Sequence, residues 1–131
     1  MIRFLLPLLL FLSPIIPQGL FQTGGIEDLN VLFKAGNAKE IAQNFSSTVE
    51  LSIVDSDDVY SKAQAEQILR DFFSKNSPKN SKIIHHINTN PTMRFGILNL
   101  TTAKGIFRIS ITSKKVNQSF LITELRIEQE K

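Results

Sequence analysis

The chain of 131 residues contains no cysteine, which removes disulfides, thiol nucleophiles and thiol-linked lipids together and leaves the fold to stand on its core alone. Histidine is almost as scarce: the only two are the neighbours His85 and His86. Adjacent residues on a strand point to opposite faces, so this pair does not chelate one metal in the usual way. The single tyrosine is Tyr60. No serine sits in a strand-to-helix nucleophile elbow, so triad chemistry has no support. The acids Asp55, Asp57, Asp58 and Glu66 are spaced like parts of a calcium loop, but Tyr60 stands where that loop requires glycine. No metal or cofactor is implied.

A long apolar run is also missing. The longest, Phe4–Leu12, follows Met1-Ile2-Arg3 and precedes Ser13-Pro14 and Pro17-Gln18-Gly19, whereas a membrane-spanning helix needs about 20 mainly apolar residues. A positive start, a short apolar run and breakers are the parts of a secretory signal. Residues 1–19 are therefore expected to be a signal peptide whose cleavage site lies between about Pro17 and Gly25. Export to the periplasm or beyond, with no stable membrane insertion after cleavage, is the expectation. The roughly 110 residues left suffice for one domain and one core.

Net charge is +3, too small to imply nucleic acid or an anionic membrane by itself. The charge is unevenly placed. Residues 19–74 hold four Lys/Arg against nine Asp/Glu, and residues 75–131 hold ten against three. The two halves attract one another across a fold, and the second half could present a basic binding face.

What is present reads as helices followed by strands. Tyr60–Lys75 carries Ala65, Ile68, Leu69, Phe72 and Phe73 at helical spacing, and Ser61 with Gln64 can form a capping box. Ile26–Phe33 has an apolar stripe that Gly36 ends. Asn37 can cap a second short helix, with Ile41 and Phe45 on its buried side. Thr48–Asp55 alternates like a half-buried strand, and Asp55–Asp58 reads as an acidic loop into the long helix. After Pro78 four strands are expected, about Lys82–Asn88, Met93–Thr102, Gly105–Lys114 and Phe120–Glu128. Helices packed on an antiparallel sheet make an α+β domain.

That element order, with Val59–Glu66, Asp71-Phe72-Phe73, Phe120-Leu121-Ile122 and Leu125–Glu128, resembles a small exported bacterial family of unknown function in the nuclear transport factor 2-like superfamily. The resemblance covers the chain from about Ile26 to residue 130. It implies a cone, or cystatin-like roll, of N-terminal helices on a curved antiparallel sheet. It also implies that the space between helices and sheet can serve as a pocket, for ketosteroid isomerases and polyketide cyclases or for simple binding and dimerisation.

Turn lengths set the expected register. A two-residue turn at Lys104-Gly105 places Phe107, Ile109 and Ile111 across from Thr102, Leu100 and Leu98, and a turn at Asn90-Pro91 sets His85 opposite Gly96, facing inward. His85 is thus the enclosed histidine and the candidate general base. For the last strand two readings stand. A tight turn at Asn117-Gln118 turns Phe120, Ile122, Glu124 and Arg126 inward, and leaves Leu121, Leu125 and Ile127 beside Ile106 as a convex apolar patch for a homodimer. A three-residue loop turns Leu121, Leu125 and Ile127 inward instead, the pattern that avoids burying charge.

These readings name Tyr60, His85, Glu124 and Arg126 as the ligand-binding candidates. The favoured function is a noncatalytic binding module for a small apolar ligand or a protein partner. The alternative is a lyase or isomerase with His85 as base and Tyr60 or Arg126 holding the oxyanion.

Overall fold

Gly36 adopts φ 66° and its N–H reaches the carbonyl of Phe33, while the Asn37 N–H reaches back to Leu32, so the helix α1 (Ile26–Ala35) ends where a left-handed residue without a Cβ is available. Asn37 then caps α2 (Ala38–Ala42) by accepting from the Glu40 N–H at 3.0 Å. This computed structural model describes residues 25–131; the expected signal segment lies outside them. Among the described residues no helix is long and apolar enough to cross a membrane.

The chain continues through β1 (Phe45–Ile53), β2 (Ser56–Ser61), α3 (Lys62–Lys75), β3 (Pro78–Ile87), β4 (Met93–Thr102), β5 (Gly105–Val116) and β6 (Ser119–Gln129). One six-stranded sheet has the order β2-β1-β6-β5-β4-β3. All neighbours are antiparallel except β1 and β6, which run parallel. The capping box at α3 forms as expected: Ser61 Oγ accepts from the Gln64 N–H at 3.2 Å and Gln64 Oε1 accepts from the Ser61 N–H at 3.1 Å.

The three helices cover one face of the sheet. Phe33, Ile41, Leu69, Phe72 and Phe73 meet Leu51, Leu98, Leu100, Phe107, Ile109, Leu125 and Ile127 in a single core. Phe72 is packed edge-to-face against Phe73 and Phe107, with ring centroids 5.6 and 5.1 Å apart. Such pairs add about 0.5–1.5 kcal/mol beyond the area they bury.

Four local expectations are corrected. The acidic segment after β1 is a hairpin strand and not a loop. Ile53 pairs with Ser56 across the turn, and β2 forms the sheet edge with most of its side chains in water, so it lacks the apolar alternation that marks a strand. Tyr60 accordingly lies on β2, before the helix.

The β4–β5 turn is Ala103-Lys104. Thr102 pairs with Gly105, whose φ is 118°, and the Thr102 hydroxyl both donates to the Gly105 carbonyl at 2.8 Å and accepts from the Lys104 N–H at 3.0 Å. Partners move by two positions from the expected register, which keeps every side chain on its expected face.

A bulge interrupts β3. Ile83 pairs with Leu98, but His85 pairs with Ile97 and His86 with Gly96. The extra residue reverses the two histidines, so His85 turns to the helix-free face and His86 to the helix side. Both are exposed, so His85 is not the enclosed histidine.

A second bulge, at Thr123, reconciles the two readings of the last strand. The turn is the tight one, with Val116 opposite Ser119 and Asn117 at φ 59°, so Ile122 faces inward opposite Ser113. Beyond Thr123 the pairing steps to Thr112–Glu124, which turns Leu125 and Ile127 into the core and leaves Glu124 and Arg126 on the helix-free face. Leu125 and Ile127 therefore form no convex patch, since both are fully buried beneath the helices.

Candidate functional site

The candidate residues chosen from the sequence do not meet around one cavity. Tyr60 packs half-buried on the core at one edge strand, β2. His85 is exposed on the other edge strand, β3. Five strand spacings of about 4.8 Å separate those edges, or roughly 24 Å. Glu124 and Arg126 lie together on β6, 3.7 Å apart, and Arg126 also approaches Glu128 at 3.8 Å. His85 and Arg126 share the helix-free face with β4 and β5 between them, about 14 Å at the same spacing. No proton could pass directly between them and one substrate atom.

The centre of the cone is solid: Leu69, Leu98, Leu100, Ile109 and Leu125 have no exposed surface. Space opens instead at its two ends. Toward the start of α1 there is a cleft of about 180 Å³. Its floor exists because Gly96 has no side chain. A Cβ there would meet Ile26 Cδ1 at 2.5 Å, so Ile26 lies directly on the β4 backbone and tips the first turn of α1 against the sheet. Ile26, Leu29 and Ile111 supply apolar wall, while His86, Arg94 and Ser113 bring polar groups from β3, β4 and β5.

Arg94 is the distinctive member. Its guanidinium carbon stands 3.8 Å from the Phe120 ring centroid, a stacking that orients the plane and leaves its N–H edges for a partner. Among the described residues it forms no ion pair, and five other pairs account for the remaining bridged charges. Ser113 is 5 % exposed. Glu27, in the first turn of α1, is the one carboxylate lining the cleft. Glu27 and His86 both line the cleft and make no hydrogen bond to each other among the described residues.

The second opening, about 350 Å³, lies between α3 and the start of β5, with Ile68, Phe72 and Phe107 as wall. Its charged lining residues Asp71 and Lys75 already pair with each other at 3.1 Å. It offers apolar surface without an unpaired charge.

Ile26, His86, Arg94 and Ser113 were not among the sequence candidates. Their convergence depends on the β3 bulge and on α1 lying over Gly96, and neither leaves a local signal in the sequence.

Helices on one face of a curved sheet closed by a parallel β1/β6 pair define a nuclear transport factor 2-like, cystatin-like cone. Residues 26–128 match the family described as Domain of unknown function (DUF4783), and the chain belongs to that family. It is similar to the crystal structure of a family protein from Bacteroides fragilis YCH46, at 31% identity and TM-score 0.73 over 78% of this chain and 95% of that one. A second family structure, from Bacteroides ovatus ATCC 8483, is 26% identical with TM-score 0.75 over 79% and 93% of the two chains. Outside the family, a domain of unknown function with a cystatin-like fold from Nostoc punctiforme shares the fold at TM-score 0.65 and 9% identity, over 81% and 73%. No curated protein matches the chain.

Proposed function

We propose that this chain is an exported, noncatalytic binding module that holds a small, largely apolar molecule carrying one anionic group in the cleft beneath the first turn of α1. The observation that carries this reading is the Arg94 guanidinium, stacked on Phe120 and without an ion-pair partner among the described residues, beside the apolar wall of Ile26, Leu29 and Ile111. An apolar pocket with a few convergent polar groups is the usual form of a small-molecule site. Arginine fits a carboxylate or phosphate through two parallel N–H donors. Against the isomerase alternative stands the exposed position of His85 on the helix-free face, outside both described openings and with Tyr60 out of reach.

Native mass spectrometry of protein purified from its own host tests the proposal. The expected result is a retained small-molecule mass that disappears in Arg94→Ala. A wild-type protein that carries no such mass and takes none up from a host lipid extract contradicts it. Intact mass reads the export part: the mature chain should lack at least its first roughly sixteen residues. Full-length protein in the membrane fraction would show an uncleaved anchor.

A further inference from the structure

The segment from Phe72 to Thr123 contains eight Lys/Arg and no Asp or Glu, and it builds β3, β4 and β5. On the helix-free face these three strands present Lys82, His85, Arg108 and Lys114, whereas the acids Glu50, Asp57, Glu124 and Glu128 all stand on β1, β2 and β6. One corner of the basic half is also apolar. Ile84 and Ile87 are each 46 % exposed, Met93 38 % and Val116 40 %, half of the large hydrophobic side chains that the described residues leave in water. Half-buried Phe95 pairs with Ile87, and Lys114 pairs with Met93 on one side and Leu121 on the other. The Lys115 N–H donates to the Thr92 carbonyl at 2.9 Å, which ties the β3–β4 and β5–β6 hairpins into one surface.

We propose that this corner docks the domain on an anionic bilayer surface, with Ile87, Met93 and Val116 entering the headgroup region and Lys82 and Lys114 meeting lipid phosphates. Charge complementarity selects the occupant. A second copy centred on the same corner would bring the Lys82 and Lys114 side chains of the two copies together, because β3, β4 and β5 carry no acid to compensate them. A corner of apolar side chains beside lysines suits a deformable interface where lysine stems lie along acyl chains and their ammonium groups reach the phosphates. Ile87 and Phe95 also line the cleft beneath α1, while Met93, Lys114 and Val116 do not.

The test is co-sedimentation with vesicles of phosphatidylcholine alone or with 30 mol% phosphatidylglycerol (about three lipids in ten), at 0.05 and 0.5 M NaCl, concentrations that bracket a Debye length of about 10 Å at 0.1 M. The protein is used as its host processes it, and every variant carries the same N-terminus, so any contribution from that segment is common to all. Binding to the anionic vesicles is expected to exceed binding to neutral ones at least about fivefold at low salt and to fall at high salt. Lys82→Glu with Lys114→Glu should abolish that difference, and Ile87→Ser with Met93→Ser should weaken binding severalfold, while Glu50→Gln on the acidic half leaves it unchanged. Thermal unfolding of each variant confirms that it is folded. Equal partition of wild type to both vesicles, or none, overturns the proposal. So does undiminished binding by the folded Lys82→Glu/Lys114→Glu variant, or capture by soluble polyglutamate or a second copy with no vesicle binding.

Discussion

On the helix-covered face of the sheet Leu51, Leu98, Ile109, Leu125 and Ile127 are excluded from water, whereas the residues alternating with them on the other face, among them Glu50, Asn99, Ser110, Glu124 and Arg126, remain wholly or partly exposed. The same six strands thus carry a sealed apolar surface and a charged one. Two single-residue bulges maintain the partition: without the extra residue at Thr123, Glu124 and Arg126 would enter the core in place of Leu125 and Ile127. The difference teaches that the covered face determines stability. Function must then be sought where that face emerges from beneath the helices, or on the uncovered side.

The sharpest way to break the comparison uses two neighbours on β6. Leu125→Arg places an unpaired charge in the core, at a cost above about 5 kcal/mol once lost packing is added, and should leave no folded domain. Chemical denaturation that still gives a cooperative transition would show that Leu125 does not face the core.

Phe72→Ala is next. It removes a ring in edge-to-face contact with two others and should cost about 3–5 kcal/mol. A loss below about 1 kcal/mol would mean that α3 does not lie on the sheet.

Gly96→Ala should cost about 1 kcal/mol, because the added methyl meets the rotatable Cδ1 end of Ile26 at 2.5 Å, with Cγ1 behind it at 3.2 Å. Combining it with Ile26→Ala should restore part of the loss, and a double-mutant cycle reads that coupling. Strict additivity would place Ile26 elsewhere.

The smallest effect belongs to Arg126→Leu, within about 0.5 kcal/mol, since its pairs with Glu124 and Glu128 are exposed and long. A large loss here with a small one at Leu125 would exchange the two faces.

Much of the fold was legible because its signals are local. The Ser61 and Gln64 capping box, the Gly36 stop, the Asn37 cap and the even alternation of Met93–Thr102 each lie within a few residues and agree with the structure. The bulges were not legible. Ile83-Ile84-His85-His86-Ile87 and Leu121-Ile122-Thr123-Glu124-Leu125 place apolar residues at consecutive positions, so more than one register satisfies the pattern. The β2 edge was missed because polar side chains on both faces look like a loop. The site suffered most, because His85, Glu124 and Arg126 were chosen from a register that each bulge shifts by one, and Tyr60 from a helix start that is an edge strand. The cleft is made by contacts between residues some seventy positions apart, Ile26 and Gly96, which no periodicity reports.

The proposed ligand site lies on the helix-covered side, at the first turn of α1. An amide-resolved NMR titration of the wild-type protein with octanoate, and with octanol as the uncharged control, tests it most directly. The expected result is saturable shifts grouped at Ile26, His86, Gly96 and Ser113, tighter for octanoate than for octanol and weakened in Arg94→Ala. Shifts that gather instead around Ile68, Phe72 and Phe107, or around His85 and Arg126 on the helix-free face, or that never saturate, would contradict it.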